Sequence, residues 1–131
     1  MAKSEIMVDQ HIQQLLTEGG DLVRFAANEL KRSREDVVTF LACNNIKRGI
    51  NFYLQAFIES YRIEPPQHPT PDSLLKICVS IDPQFKELNL KPLDCSHEKG
   101  ANNYCLDIDH VEECLDVAKS TRSMVLNRIS T

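Results

Sequence analysis

A long run without helix breakers occupies the middle of this chain and constrains its fold more than any other feature. Between Arg34 and Tyr61 there is no proline, and the only glycine is Gly49. Proline breaks a helix because it lacks the backbone N–H, and glycine weakens one through its conformational entropy. The run therefore predicts a single helix of roughly 40 Å, at 1.5 Å per residue.

Polar side chains on this long helix follow one face. They recur at the spacing that places side chains in one stripe of a helix, and they are Asn44, Arg48, Asn51, Gln55 and Glu59, with Lys47 beside them. Most of the remaining positions are apolar, so the apolar arc covers the larger part of the circumference. Such a helix is either central to its bundle or covered by a partner chain.

The N-terminal region predicts two shorter helical segments. Apolar residues have helical spacing from Ile6 to Leu16, and Gly19-Gly20 then predicts a break or a kink, with Asp21 capping a restart. The stretch from Ser33 to Asp36 resembles a capping box, in which a hydroxyl and a carboxylate satisfy unpaired backbone N–H groups. It predicts the start of the long helix.

Prolines mark the connection that follows the long helix. Four of them fall between Pro65 and Pro71, which predicts an extended segment. A short helix over Ser73–Ile81 is expected next, with Asp72 as its N-cap. The polar, aperiodic stretch from Lys91 to Asn103 predicts a surface loop.

The last helix has the clearest pattern. Asp107 or Asp109 is expected to cap it, and its apolar stripe consists of Val111, Cys114, Leu115, Ala118, Val125 and Ile129. No segment alternates as a strand. The predicted fold class is therefore all-α, an up-and-down four-helix bundle with a short helix after a proline-rich loop. One domain over residues 1–131 is expected.

Composition excludes several classes of function. The formal net charge is −4 and the pI about 5.5, which weighs against broad nucleic-acid binding. No stretch approaches the ~20 apolar residues of a membrane span, and Met1 to Gln10 lacks the apolar region of a secretory signal. Five cysteines without a Cys-x-x-Cys pair predict reduced thiols in the cytoplasm, and Cys43, Cys78 and Cys114 are expected to be buried small hydrophobes.

Several segments carry a resemblance to a known family. They are Val37–Cys43 and Ile50–Phe57 of the long helix, Ile63–Pro66, Thr70–Cys78, and Asn103-Tyr104-Cys105 before the last helix. In their order and spacing they resemble the HEPN family of small four-helix bundles, over most of the chain after about Asp21. The resemblance implies a homodimer that binds nucleotides or proteins, or serves as the partner of a minimal nucleotidyltransferase.

The resemblance also bears on catalysis. Ribonucleases of the HEPN family carry an Arg and, a few residues later, a His at the start of the last helix, where the Arg stabilises phosphoryl charge and the His moves a proton. The matching positions here are Asn103, followed by Tyr104, and His110. Because asparagine lacks the guanidinium charge, the chain is expected to be a non-catalytic module. The alternatives are a metal-independent ribonuclease using His110 and a purely structural helical protein.

Two groups of residues are candidates for ligand binding. On the long helix, Asn44, Lys47, Arg48 and Asn51 combine cations with amide donors, which suits a nucleotide phosphate, although a solvated face would have the same pattern. Near the last helix, Asn103, Tyr104 and His110 form the second group, and a surface histidine in a capping turn is the alternative for His110. Neither a metal site nor a cofactor is predicted.

Overall fold

A computed structural model describes residues 2–94 and 107–129, with side chains from Gln10 onward. Over these ranges the chain is all-α and contains no strand, as the sequence predicts. The helices are α1 (Ala2–Leu30), α2 (Thr39–Ser60), α3 (Pro71–Ile81) and α4 (Ile108–Ile129), and two 3-10 turns follow α3 at Pro83–Glu87 and Lys91–Leu93. None of the described helices has a stretch apolar enough to cross a bilayer.

Helix α2 is the element against which the others pack. It contacts α1, α3 and α4, and its side chains supply much of the core. The fully buried members on α2 include Ile46, Ile50, Tyr53, Leu54 and Phe57. Of the two explanations for its wide apolar arc, a central position therefore holds in the monomer. Burial of each such side chain stabilises the fold by about 1.5–3 kcal/mol.

Helix α1 continues through Gly19-Gly20, so the predicted break there is wrong. A Cβ atom at Gly19 would lie 2.9 Å from Cε1 of Tyr53 and 3.1 Å from the carbonyl oxygen of Gly49. A Cβ atom at Gly49 would lie 2.7 Å from Cγ2 of Val23. These two glycines let the backbones of α1 and α2 approach closely, and this packing offsets their poor helix propensity.

Helix α2 begins at Thr39, five residues after the predicted start, because its N-terminus is capped from another element. The N-cap is Val38, whose backbone N–H donates to Oε2 of Glu29 at 2.9 Å. The hydroxyl of Ser33 instead donates to Oδ2 of Asp36, at 2.7 Å within a turn. The capping box expected at Ser33 is therefore a local turn. At the other end, the helix stops within one residue of the predicted Tyr61.

The N-cap of α3 is Thr70 rather than the predicted Asp72. The Thr70 hydroxyl accepts from the backbone N–H of Ser73 at 3.1 Å, and the Ser73 hydroxyl accepts from the backbone N–H of Thr70 at 3.0 Å. This reciprocal pair is a capping box with serine in place of the usual acidic residue. Pro71 then occupies the first turn, where its missing N–H costs nothing.

Helix α4 follows its predicted pattern closely. Oδ1 of Asp107 accepts from the backbone N–H of Asp109 at 3.0 Å, so Asp107 is the capping residue. The stripe from Val111 to Val125 is buried, and Ile129 is partly buried. Before α4, Lys91–Leu93 is a 3-10 turn with Leu93 in the core, so the predicted surface loop is wrong for this part. The rest of that loop lies outside the described residues.

Candidate functional site

The predicted polar stripe of α2 is divided by the fold. Asn44 and Arg48 are exposed, whereas Lys47 and Asn51 are partly buried. Nδ2 of Asn51 donates to the carbonyl oxygen of Pro69 at 3.3 Å, and its buried Oδ1 has no hydrogen-bond partner among the described residues. Asn51 therefore holds the proline-rich connection against α2. The stripe does not act as one uniform polar surface.

Lys47 is partly buried and interacts electrostatically with Cys114 of α4. Burial raises the pKa of the Cys114 thiol to about 12, and the nearby Lys47 ammonium partly opposes that rise. Burial likewise raises the pKa of Cys78 to about 12. Both thiols, like that of Cys43, are buried, as the sequence predicts, and the three form no disulfide. With their raised pKa values, Cys78 and Cys114 are poor nucleophiles at neutral pH.

His110 is half-buried and anchors the 3-10 turn that precedes α4. Its Nε2 lies 2.6 Å from the carbonyl oxygen of Pro92, and Sγ of Cys114 lies 3.0 Å from the same oxygen. A carbonyl oxygen only accepts hydrogen bonds, so Nε2 is the protonated nitrogen. Asn103 and Tyr104, the residues predicted to act with His110, lie outside the described residues.

A groove between α1 and α4, here called the α1–α4 groove, brings basic side chains of both helices to one cavity. Its volume is about 490 Å³, within the usual range of small-molecule sites. Three basic side chains line it: Arg24 from α1, and Lys119 and Arg122 from α4. The apolar side chains that line it are Leu16, Val23, Ala27 and Leu126. We call the cavity that these residues line the basic end of the groove.

The positive charge of the basic end is only partly neutralised. Arg24 lies 3.1 Å from Oδ1 of Asp21, but both side chains are exposed, so this pair contributes little. Lys119 and Arg122 have no ion-pair partner among the described residues. Cations left unpaired beside an apolar surface favour an anion that also carries an apolar part.

Tyr53 forms part of the wall of the basic end. Only 1% of the residue is exposed, and its ring packs against Gly19. Burial raises the pKa of the hydroxyl, while the positive charges of Arg122 and Arg24 lower it, so both guanidinium groups lie near this hydroxyl. A Cβ atom at Gly20 would stand 3.9 Å from the hydroxyl oxygen. Gly20 therefore lies beside the hydroxyl, where a methyl group would make an ordinary van der Waals contact.

A second cavity extends the groove past Ala27 and Lys119, which line both cavities. Its volume is about 320 Å³. Two carboxylates of α4, Glu112 and Asp116, line it together with Lys31, which lies in the turn directly after α1. We call this part the carboxylate end. The α1–α4 groove thus has two ends of different charge.

Sequence reasoning missed this groove. Its residues recur at helical spacing on each wall, as in Thr17, Gly20, Arg24 and Ala27 on α1 and in Lys119, Arg122 and Leu126 on α4. That spacing was visible, but nothing in it shows that the two stripes face each other. In the described part of the chain, no group of three His, Cys, Asp or Glu side chains is placed to hold a metal ion.

Comparison with known proteins identifies no relative: no family model, curated protein or solved structure matches this chain. Functional inference therefore rests on the geometry of the described residues.

Proposed function

We propose that this chain is a non-catalytic helical module that binds a nucleotide in the α1–α4 groove. The observation that supports this proposal is the cluster of Arg24, Lys119 and Arg122 beside an apolar surface in one cavity. Guanidinium and ammonium groups hold a phosphate through charge-assisted hydrogen bonds, and arginine can do so with two parallel bonds. The apolar side chains would contact the sugar or the base.

A screen of thermal stability with ATP, GTP and their monophosphates tests the proposal. A ligand at 100 times its dissociation constant stabilises a protein by about 2.7 kcal/mol, which raises the melting temperature measurably. We expect a shift in the wild type that is largely lost in Arg122→Ala. Lys86→Ala is the matched control, since Lys86 is an exposed cation on the 3-10 turn after α3 and lies outside the groove.

Arg48→Ala separates the groove from the polar stripe of α2. If Arg48→Ala abolishes the shift and Arg122→Ala retains it, the groove is not the site and the stripe is. An absence of any shift at millimolar nucleotide would overturn the nucleotide proposal altogether. A protein partner would then be sought by pull-down, with a minimal nucleotidyltransferase as the first candidate.

The wider proposal keeps the architecture that the sequence favours: an up-and-down HEPN-like bundle that forms a homodimer in the cytoplasm. Three large apolar side chains at the surface, Phe25, Phe40 and Tyr61, are 53%, 51% and 55% exposed, and a dimer interface that covers them would remove them from water. Light scattering at tens of micromolar protein tests the dimer. A monomeric mass at that concentration would refute the dimer and leave the proposed binding in the groove unaffected.

A further inference from the structure

The two ends of the α1–α4 groove differ in chemistry. Together they indicate the base of the ligand as well as its phosphate. The basic end offers Arg24, Lys119 and Arg122, and the carboxylate end offers Glu112 and Asp116. We propose that the ligand is a guanine nucleotide, with its phosphate at the basic end and its base at the carboxylate end. This inference rests on the proposed function and adds the identity of the base.

The chemistry of the carboxylate end matches the hydrogen-bonding edge of guanine. Guanine presents N1–H and the N2 amino group side by side, and two such donors match the two oxygens of one carboxylate, from Glu112 or Asp116. It also presents the acceptor O6, to which a lysine ammonium can donate. Lys31 lines the opposite wall of the same cavity and supplies that donor.

Adenine fits the same surroundings poorly. Its amino group stands where guanine has O6, so it would meet the Lys31 ammonium donor to donor. Adenine also lacks the neighbouring N–H pair that a carboxylate accepts. Hypoxanthine keeps O6 and N1–H but has no N2 amino group. The expected order of affinity is therefore GMP, then IMP, then AMP.

The separation of the two ends suits a nucleoside monophosphate. At 1.5 Å per residue, Asp116 and Arg122 lie about 9 Å apart along the axis of α4. On the other wall, Arg24 lies about 9 Å along the axis of α1 from Leu30, and Lys31 follows in the turn after this helix. An extended nucleoside monophosphate covers a similar distance from its phosphorus to the outer edge of its base. Lys119, which lines both cavities, lies between the ends.

Titration calorimetry with GMP, IMP, AMP and ribose 5-phosphate tests the inference, using wild type, Arg122→Ala and the double variant Glu112→Gln/Asp116→Asn. We expect GMP to bind about tenfold or more tightly than AMP, since one bidentate contact discriminates between bases by about that factor or more. The double variant should reduce GMP affinity to the AMP level and leave ribose 5-phosphate unchanged. Arg122→Ala should weaken all four ligands.

Glu113→Gln is the matched control, because Glu113 is exposed on the same helix and does not line either cavity. Equal losses of GMP affinity in Glu113→Gln and in the double variant would indicate a general charge effect and overturn the inference. Equal binding of all four ligands, unaffected by the double variant, would also overturn it while leaving the proposed function intact. If none of the ligands binds, the proposed function itself fails.

Discussion

The two sides of α1 differ in how closely they meet the neighbouring helices. Towards α2, Gly19 and Gly49 bring the backbones so near that a Cβ atom at either position would lie 3.1 Å or less from backbone oxygen of the other helix. Towards α4, Gly20 borders an open groove of about 490 Å³. Two adjacent glycines thus have opposite roles. One removes volume from a packed interface, and the other leaves a site accessible.

Tyr53 belongs to both regions. Its ring fills the interface beside Gly19, while its hydroxyl lies near Arg24 and Arg122 in the basic end of the groove. One side chain therefore belongs both to the packed interface and to the wall of the proposed site. Substitutions that separate the two contributions test the comparison directly.

Removing the ring should have the largest effect. Tyr53→Ala would leave a cavity between α1 and α2, and truncations of this size cost about 3–5 kcal/mol of unfolding free energy. Denaturation in urea measures this as a lower midpoint. Tyr53→Phe is the control, because it keeps the ring and removes only the hydroxyl. A loss in Tyr53→Phe as large as that in Tyr53→Ala would show that the hydroxyl, and not the ring, stabilises this interface.

Adding a methyl group to the tight interface should have the next largest effect. Gly49→Ala would place Cβ 2.7 Å from Cγ2 of Val23 and 3.0 Å from the backbone oxygen of Gly19, so α1 must shift. Overpacking of this kind costs about 1–3 kcal/mol, less the gain in helix propensity. The melting temperature should fall. An unchanged or raised melting temperature would show that the approach of α1 to α2 is looser than described.

Replacement of the other glycine, Gly20, by alanine should instead stabilise the protein. Gly20→Ala places Cβ 3.9 Å from the Tyr53 hydroxyl, an ordinary contact, and replaces a helical glycine at a gain of about 0.5–1 kcal/mol. Because Gly20 lines the groove, the added methyl group takes up space there, so nucleotide affinity should fall while the melting temperature without ligand rises. If both properties rise together, the ligand does not contact this wall of the groove.

A smaller, pH-dependent effect should appear at the C-terminal end of α4, the helix that forms one wall of the groove. The pKa of Asp82 is lowered from 3.8 by the hydrogen bond from the backbone N–H of Gln84 and then by the hydrogen bond from Arg128, whose Nε lies 2.6 Å from Oδ2. A lowered folded-state pKa stabilises above the unfolded value, and this contribution is lost as pH falls through the folded value.

The measurement is unfolding of wild type and Asp82→Asn as a function of pH. The advantage of the wild type should be complete well above pH 3.8 and should shrink below it as Asp82 becomes protonated. Arg24→Ala is a useful comparison, because the ion pair of Arg24 with Asp21 is exposed on both sides and should contribute little at any pH. Parallel curves for wild type and Asp82→Asn at every pH would contradict the assignment.

Much of the fold follows from local patterns. The stripe of α4 and the short helix after the proline-rich connection were predicted, because side-chain spacing and proline act within a few residues. The cap of α4 was predicted to be Asp107 or Asp109, and the structure shows Asp107. The errors occurred where a distant residue intervened. Glu29 caps α2 across a turn, and Gly49 and Tyr53 make Gly19 suitable for a helix interior.

The candidate site was less predictable than the fold. Asn44, Lys47, Arg48 and Asn51 were grouped by their spacing on one helix, yet Asn51 binds Pro69 and Lys47 approaches α4. His110 was a candidate because a histidine can transfer protons near neutral pH. In the structure its Nε2 is hydrogen-bonded to the carbonyl oxygen of Pro92. Spacing within a helix shows which residues share a face. It does not show which element covers that face.

The sequence by itself determined an all-α chain, a long helix with a wide apolar arc and the buried thiols, since periodicity, proline content and hydrophobicity act locally or through burial alone. Only the tertiary structure decided that Arg24, Lys119 and Arg122 meet in one cavity, and that Gly19 and Gly20 face different neighbours. The physical reason is that a binding site needs side chains from separate helices at defined distances. Those distances are set by how the helices pack, and local sequence patterns do not define that packing. The close approach of α1 to α2 at Gly19 and Gly49 is one such contact.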